Sequence, residues 1–254
     1  MNNQPVILAQ AHYKELKDAT YDLALLPWGA TEAHNLHLPY GTDIIESERI
    51  AGESARLAAA RGAKVIALPP IPFGVNTGQL DIPLTINMNP STQMAVLTDV
   101  AQSLQQQGIH KLAILNGHGG NDFRQMIREI QPRFSLFLCT INWWVCVDPR
   151  PFFREPGDHG GELETSIMLH LAPDLVLPLP EAGSGAERKP KISAFREGWA
   201  WTPRQWTKVS ADTGIGNPSA ATEQKGKAYF AAVTEKIGGL LVELAAADPN
   251  DLYR

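Results

Sequence analysis

Cysteine is scarce in this sequence, and long apolar runs are missing from it. The 254 residues include only Cys139 and Cys146, which form neither a Cys-x-x-Cys pair nor a metal-binding array. A chain of this length buries enough apolar surface to fold without disulfides. No stretch approaches the roughly 20 apolar residues of a membrane-spanning helix, and the first ten residues do not resemble a signal peptide. We therefore expect a cytoplasmic protein that does not cross a membrane.

Positive charge is also limited. The chain has 22 Lys and Arg against 27 Asp and Glu, a formal net charge of -5, and no basic run. Binding to nucleic acid usually requires a basic face, so we expect no nucleic-acid partner. The hydrophobic fraction of 44% and the charged fraction of 19% are those of an ordinary globular protein. We expect a single domain over residues 1–254, with a split into two domains as the alternative.

Strand-like and helix-like segments alternate along the chain. Amphipathic or capped stretches predict helices, and short apolar runs predict strands. This alternation predicts a mainly parallel sheet between two layers of helices, a three-layer α/β/α architecture. Residues 71–90 have no clear period and are expected to form a long functional loop, and residues 178–218 are expected to be irregular. The predicted strands are 23–27, 64–68, 112–115 and 135–142, and the main helices are 43–60, 91–107, 122–130, 162–171 and 219–246.

The stretch GATEAHNLHLPYGTD, residues 29–43, concentrates potential metal ligands. It contains Glu32, His34, His37 and Asp43. It follows a predicted strand and precedes a predicted helix, the position at which open α/β sheets bind ligands. Imidazole and carboxylate together suit Zn, Mn, Fe or Ni better than Ca or Mg. The stretch therefore predicts a transition-metal site, although His37 is the least secure of these ligands.

Two later stretches carry the same residue types. In LAILNGHGGN, residues 112–121, His118 follows a strand-like run among glycines. In GDHGGELETS, residues 157–166, a histidine and three acidic residues precede a helical pattern. Because parallel strands end at the same edge of a sheet, all three loops are expected to converge on one site. The residues in the last stretch are Asp158, His159, Glu162 and Glu164.

Taken together, these stretches resemble the creatininase (creatinine amidohydrolase) family. The family pattern joins Gly-x-x-Glu-x-His and Leu-Pro-x-Gly-x-Asp to Asn-Gly-His, and then to His-Gly-Gly ahead of Glu-Thr-Ser. All are present here in order, and GIGNPSAATEQKG, residues 214–226, resembles a fourth family segment. The resemblance implies a creatininase-like fold and a metal-dependent hydrolase of C–N bonds other than peptide bonds. The expected substrate is a small cyclic amide or a formamide.

The resemblance also implies how the ligands are divided between two divalent metal ions, Zn, Mn or Fe. Asp43 matches the family aspartate that bridges the two ions. Glu32 and His118 match ligands of one ion, and His34 matches a ligand of the other. A bridged pair of ions can hold the attacking water between them.

One family ligand has no counterpart at its usual place. The glutamate two positions after the Asn-Gly-His histidine is replaced here by Gly120. We expect Glu162 to take over as a metal ligand and catalytic residue; the alternative is a second metal site that is weak, water-filled or empty. Glu164 is expected to hold a loop or a ligand histidine by a hydrogen bond. His159 resembles the catalytic histidine of the family, which handles the proton. The alternative is that His159 only orients a ligand.

Two further features of the family bear on substrate and assembly. The tryptophan before the catalytic histidine is missing from residues 154–161, and Gly119 stands where the family has a tyrosine. Creatinine itself is therefore not expected as the substrate. No Gly-x-Ser-x-Gly elbow is present and Cys139 lies in a strand-like run, so no serine or cysteine nucleophile is expected. The resemblance also implies a homo-oligomer, specifically a hexamer.

Two other classes of protein remain open from the sequence. One is a non-catalytic member of the same fold that binds a small molecule or a partner. The other is an enzyme in which NGHGGN binds a phosphate at a helix N-terminus, which leaves Glu32, His34 and Asp43 without a role. Elemental analysis separates them, because only the hydrolase requires stoichiometric transition metal.

Overall fold

Four parallel strands form the single sheet of the computed structural model, which describes residues 4–253. The strand order is β2-β1-β3-β4. Leu25 pairs with Ala67 on one side of β1 and with Ala113 on the other. The strands are β1 Leu23–Trp28, β2 Val65–Ala67, β3 Lys111–Asn116 and β4 Phe137–Asn142.

Helices cover both faces of this sheet. One hydrophobic cluster joins the sheet to α2, α5 and α8, and a second joins its other face to α3 and α4. The predicted three-layer α/β/α architecture is thereby confirmed. The helices are α1 Tyr13–Leu16, α2 Thr42–Ala60, α3 Pro90–Gln106, α4 Phe123–Ile130, α5 Glu162–Leu171, α6 Ser193–Glu197, α7 Trp206–Val209 and α8 Glu223–Ala246.

The side chains of β1 show why the sheet is buried on both faces. Leu23 and Leu25 belong to one cluster, and Ala24, Leu26 and Trp28 belong to the other. Successive side chains of a strand point to opposite faces, so a continuous apolar run fits a strand between two helical layers. All six residues of β1 are buried.

The site-bearing loops leave the sheet where its strand order reverses. The chain passes from β1 outward to β2 and then crosses back to β3 on the other side of β1. The carboxyl ends of β1 and β3 therefore flank a crevice, the usual ligand position in such sheets. Trp28, the last residue of β1, is paired with Asn116, the last residue of β3.

Local structure departs from prediction at a few places. The long loop contains a short 3-10 turn at Thr77–Gln79, and the irregular region contains α6 and α7. In the described part of the chain, no helix has both the length and the apolarity needed to cross a membrane. Residues 1–3 and 254 of the predicted domain lie outside the described residues.

Candidate metal centre

Three predicted ligands lie on the connection from β1 to α2. Glu32 and His34 are on the loop after β1, and Asp43 is in the first turn of α2. The loop is fixed by a hydrogen bond from the amide of Glu32 to the carbonyl of Tyr40 at 3.2 Å. All three side chains are at most 2% exposed. Burial of two carboxylates this deep is unfavourable unless partners compensate their charge.

His118 reaches the same place from the loop after β3. Its amide donates to the side-chain oxygen of Asn116 at 3.1 Å, and Asn121 donates to that oxygen at 3.1 Å. The oxygen of Asn121 in turn accepts from the amide of Val75 at 3.0 Å and from Gln93 at 2.8 Å. This buried network ties the histidine loop to the long loop and to α3, and so fixes the position of the His118 ring.

The three histidines of the centre share one arrangement. In each, one ring nitrogen contacts a backbone carbonyl and the other faces the carboxylates. The carbonyl contacts are His34 Nδ1 to Glu32 at 3.1 Å, His118 Nε2 to Val75 at 3.1 Å and His159 Nε2 to Ala33 at 2.8 Å. A carbonyl accepts only from N–H, which leaves the inward nitrogen unprotonated in a neutral ring and ready to bind a metal or a proton.

Two of the three groups of possible ligands share Asp43. Glu32, Asp43 and His118 form one, and His34, Asp43 and Glu164 form the other, with the ligand atoms of each group within 4.8 Å of one another. His34 Nε2 lies 2.8 Å from Asp43 Oδ1, and His118 Nδ1 lies 3.1 Å from Asp43 Oδ2. The two oxygens of Asp43 thus face different histidines, as a carboxylate shared by two ions would. Each of these groups has two carboxylates and one imidazole, a combination that suits Zn, Mn or Fe.

An orphaned oxygen supports the fit to a metal. Asp43 Oδ2 is buried, and despite its proximity to His118 no group among residues 4–253 donates a well-aligned hydrogen bond to it. A third group of possible ligands joins Glu32, His34 and His159. The donor set therefore fits a metal site, and His159 lies beside it.

Protons occupy the centre when metal is absent. Burial opposes charge on His34, but the adjacent Asp43 carboxylate outweighs it and raises the pKa of His34 to about 10. Burial likewise opposes charge on His118, and the carboxylates of Glu32 and Asp43 raise its pKa well above the usual value. The carboxyl pKa values of Glu32 and Asp43 are lowered, because these cationic histidines overcome the effect of burial. The raised pKa values of the histidines and the lowered pKa values of the carboxyl groups thus favour ion pairs within the cluster.

A second acidic pair lies behind the cluster. Burial and the nearby Asp43 raise the pKa of Glu164 to about 7, although His34 opposes the shift. Glu46 lies three residues after Asp43 on α2, and no donor in the described chain reaches either of its buried oxygens. Burial, together with Glu164 and Asp43, raises the pKa of Glu46 well above its usual value.

His159 lies against the cluster and is covered by an aromatic ring. Its Nδ1 is 3.9 Å from Glu32 Oε1, and its ring centroid is 4.1 Å from that of His34. Trp206, from α7, packs on its other side with ring centroids 4.6 Å apart. Burial and the neighbouring His34 lower the pKa of His159 to about 4, so the ring is neutral and its Nδ1 is a proton acceptor.

The structure does not bring Glu162 to the cluster, and that prediction is wrong in position. Its carboxylate accepts from Lys225 and, at 2.9 Å each, from the amides of Arg154 and Glu155. Glu162 and Glu164 are two residues apart on α5, and residues at that spacing do not share a helix face. Glu164 is on the face of α5 that is directed at the cluster, whereas Glu162 binds the amides of the loop that leads to His159.

Gly120 shows why the usual glutamate is absent. A Cβ at this position would lie 2.3 Å from the carbonyl oxygen of Val75 and 2.5 Å from His118 Nε2. The long loop therefore fills the space that a side chain would need. The second carboxylate comes from the opposite wall of the site, through Glu164.

Other sequence-based expectations have mixed outcomes. His37 is outside the groups of possible ligands, and its Nε2 pairs with the hydroxyl of Thr165 at 2.9 Å. Gln79, which sequence reasoning missed, donates to the carboxylate of Glu32. No periodic signal identifies a residue in that loop, whereas the position of Glu46 one turn after Asp43 was a usable signal.

The centre opens into a cavity of about 1120 Å³. Its floor includes Glu32, Asp43, His118 and His159. Its outer wall comes from the irregular region between α5 and α8, including Trp201 and Trp206. This volume exceeds what a small cyclic amide alone would fill.

Comparison with known proteins identifies similar sequences and folds. The family model Creatininase, described as creatinine amidohydrolase, matches residues 9–241. A mycofactocin precursor peptide peptidase of Mycobacterium ulcerans is 28% identical over 229 residues, covering 85% of this chain and 83% of its own. A creatinine amidohydrolase of Pseudomonas putida is 27% identical over 176 residues, covering 60% and 65%.

Solved structures agree on the fold. A Bacteroides fragilis protein, provisionally described as a creatinine amidohydrolase, is 44% identical and has a TM-score of 0.92, covering 99% of this chain and 100% of its own. A creatininase described as the Mn form is 20% identical with a TM-score of 0.79, covering 96% and 100%, and so shows the fold alone. Another creatininase structure is described as a Zn-Zn type.

Proposed function

This chain belongs to the creatininase family, and from that premise we propose that it is a metal-dependent amidohydrolase that cleaves a C–N bond other than a peptide bond. The proposed substrate is a small cyclic amide or a formamide. The observation that carries the proposal is the pair of ligand groups joined by Asp43, with a neutral histidine beside them. A non-catalytic binding protein would have no need to keep such a set buried and aligned.

Two divalent ions, Zn, Mn or Fe, are the proposed cofactors. Glu32, Asp43 and His118 would hold one, and His34, Asp43 and Glu164 the other. Ions bound there lower the pKa of a water molecule and polarise a carbonyl group. A phosphate-binding enzyme is disfavoured, because the buried carboxylates of Glu32 and Asp43 repel an anion unless metal compensates their charge.

His159 would handle the proton. Its Nε2–H is directed to the carbonyl of Ala33, which leaves Nδ1 as the basic nitrogen facing Glu32. A proton accepted at Nδ1 from the attacking water can be passed to the departing nitrogen, which is a poor leaving group unless protonated. Trp206 covers the ring and limits access of bulk water to it. Gln79 and the carbonyl of Val75 hold Glu32 and His118 in orientation.

Peptide cleavage is a second candidate function. It is favoured by the similarity to the mycobacterial precursor peptide peptidase and by a cavity of about 1120 Å³. The two candidates separate in a substrate screen that contains cyclic amides, formamides and short peptides. Turnover of peptides alone would reject the non-peptide proposal while leaving the metal mechanism in place.

The test uses metal-reconstituted protein, the stripped protein and two variants. His159→Ala is expected to lose at least about 100-fold in kcat/KM, the range for removal of a general acid–base group. His110→Ala is the matched control, because His110 is exposed and outside the cavity. Turnover that survives metal stripping, or that is unchanged in His159→Ala, would overturn the mechanism.

We further propose a cytoplasmic homo-oligomer with a small-molecule partner, specifically a hexamer. The support is the family resemblance, together with the exposed side chains of Trp199 and Trp201, of which Trp201 is on the outer wall of the cavity. Sedimentation at micromolar concentration would test the assembly, and a monomer would contradict it. The single-domain organisation remains a prediction, supported by hydrophobic clusters on both faces of one sheet.

A further inference from the structure

One segment of the outer wall supplies many basic residues to the cavity. We call residues 187–209 the strap; it contains six basic and two acidic residues, in a chain whose formal net charge is -5. All six basic residues line the cavity. They are Arg188, Lys189, Lys191, Arg196, Arg204 and Lys208.

Only two of these cations are neutralised by nearby carboxylates. Arg204 pairs with Asp158, and Lys189 pairs with Glu187. Arg196 donates to the backbone carbonyls of Pro190 and Lys191, which carry no charge. Within residues 4–253, no salt bridge involves Arg188, Lys191, Arg196 or Lys208. Four of the six basic residues of the strap therefore have no carboxylate within salt-bridge distance in the described part of the chain.

The strap is fixed close to the metal centre. Gly78 packs against the backbone of Arg204 so closely that a Cβ there would lie 1.9 Å from the Arg204 oxygen. Gly78 belongs to the turn that carries Gln79, which binds Glu32. The hydroxyl of Thr207 also donates to Asp81 at 2.5 Å. The positive wall thus has a defined position relative to the ligands.

Ring contacts show how far the strap lies from His159, the proposed proton-transfer residue. Trp206 lies 4.6 Å from His159 between ring centroids, and the guanidinium carbon of Arg204 lies 5.6 Å from the Trp206 centroid. The amide of Arg188 donates to the carbonyl of Val209 at 2.8 Å, which brings Arg188 beside the end of α7 and Lys208. Arg204, which is paired with Asp158, thus lies about one aromatic ring beyond the proton-transfer histidine and marks where the basic residues of the strap begin.

We propose that the substrate of this site is an amide with an anionic group, a phosphate monoester or a carboxylate, about one ring width from the scissile C–N bond. The inference rests on the proposed function for the amide end, and it adds the chemical class of the other end. The cations of the strap would attract this group into the cavity and pair with it, while the amide lies against the metal centre. A neutral substrate such as a simple cyclic amide leaves this wall without a partner.

The test compares three formanilides with the metal-loaded full-length chain. Formanilide is the neutral probe, 4-formamidobenzoate is the carboxylate probe, and 4-formamidophenyl phosphate is the phosphate probe. At low salt, one or both anionic probes are expected to exceed formanilide about tenfold in kcat/KM, and this advantage should shrink as salt screens the strap. A preference for one anion identifies the source of the charge, and either preference supports the proposal.

Variants show whether the strap is responsible. Arg188→Gln combined with Lys208→Gln is expected to remove most of the preference for the anionic probes over formanilide. Lys14→Gln combined with Lys227→Gln is the charge-matched control, because both lysines are exposed and outside the cavity. Equal rates for neutral and anionic probes, or a preference that persists in the strap variant, would overturn the proposal.

Calorimetry separates this inference from the proposed reaction. If none of the three probes is hydrolysed, their affinities for the metal-loaded protein still report on the charge preference. The expected result is about tenfold tighter binding of an anionic probe than of formanilide, reduced in the strap variant and retained in the control. Equal affinities would reject the anionic substrate, whereas tight anion binding without hydrolysis would reject only the choice of reaction.

Discussion

Glu164→Gln is the substitution that most specifically tests how the second ion is held. Glu164 is one of three residues in the group with His34 and Asp43, and it contributes nothing to the group with Glu32 and His118. Glutamine has the same length and can still accept from the amide of Gly160, so the loop before α5 should keep its position. The variant should therefore lose one ion and keep the other.

The magnitude follows from what a lost carboxylate costs a metal site. Changes even to residues that only support a ligand typically reduce metal affinity 10–100-fold, and loss of a direct charged ligand should cost at least that much. A factor of about 10–100 is about 1.4–2.7 kcal/mol of binding free energy. The metal-free protein should not be destabilised, because Glu164 lies near the buried acids Glu46 and Asp43 and its charge is unfavourable there.

The assay is metal titration with elemental analysis after dialysis, paired with thermal unfolding of the metal-free protein. Glu162→Gln is the matched control on the same helix, since Glu162 is bound by Lys225 away from the cluster. We expect two ions in the control and one in Glu164→Gln. Two ions of unchanged affinity in Glu164→Gln, or loss of an ion in Glu162→Gln, would refute the assignment.

Three other predictions follow from the same structure. Metal loading near pH 7 should release about two protons, one each from His34 and His118, because their pKa values are raised. Calorimetry in buffers of different ionisation enthalpy measures this release. A release of less than one proton would contradict the ion pairs described above. Glu162→Gln should lower stability by about 2 kcal/mol at neutral pH, through loss of the charged bond to Lys225. The pKa of Glu162 is lowered because that bond outweighs the effect of burial. The stabilisation is therefore present above the unfolded-state pKa of about 4.5 and is lost as pH falls through the lower folded-state value. Denaturant unfolding in which the deficit of the variant does not shrink as pH falls below about 4.5 would contradict this. Gly120→Ala should destabilise the protein by about 1–3 kcal/mol and weaken metal binding, because the added methyl group would clash with the carbonyl of Val75. Gly119→Ala is the control and should do neither, because its methyl group would meet nothing within 4 Å. Equal melting temperatures for the two variants would count against the close contact between Gly120 and Val75.

Much of the fold was predictable because its signals are local. The continuous apolar run of β1, the amphipathic pattern of α2 and the alternation of elements fix the layers, and the strand ends fix where the site lies. The resemblance to the creatininase family, drawn from motifs between Trp28 and Gly226, is confirmed by the family model over residues 9–241. Of the predicted metal ligands, the structure brings together Glu32, His34, Asp43 and His118, with His159 beside them.

The sequence failed to predict the position of a site residue where that position depends on packing between distant parts of the chain. The choice between Glu162 and Glu164 depends on the rotation of α5 about its axis, which is set by packing against α2 and α8 and not by the motif itself. The strap has no hydrophobic period, so nothing in its sequence shows that Trp206 covers His159 or that its cations line the cavity. Glu46 follows Asp43 by one turn, but its burial beside Glu164 depends on two helices at once.

Metal stoichiometry of the parent protein and of Asp43→Ala tests the central claim most directly, because Asp43 is the residue that both ligand groups share. We predict two divalent ions per chain in the parent and loss of both in Asp43→Ala, with the variant's fold verified by circular dichroism. A parent protein that binds only one ion, or an Asp43→Ala variant that retains one ion at the parent's affinity, would contradict the account of a shared, bridged metal pair.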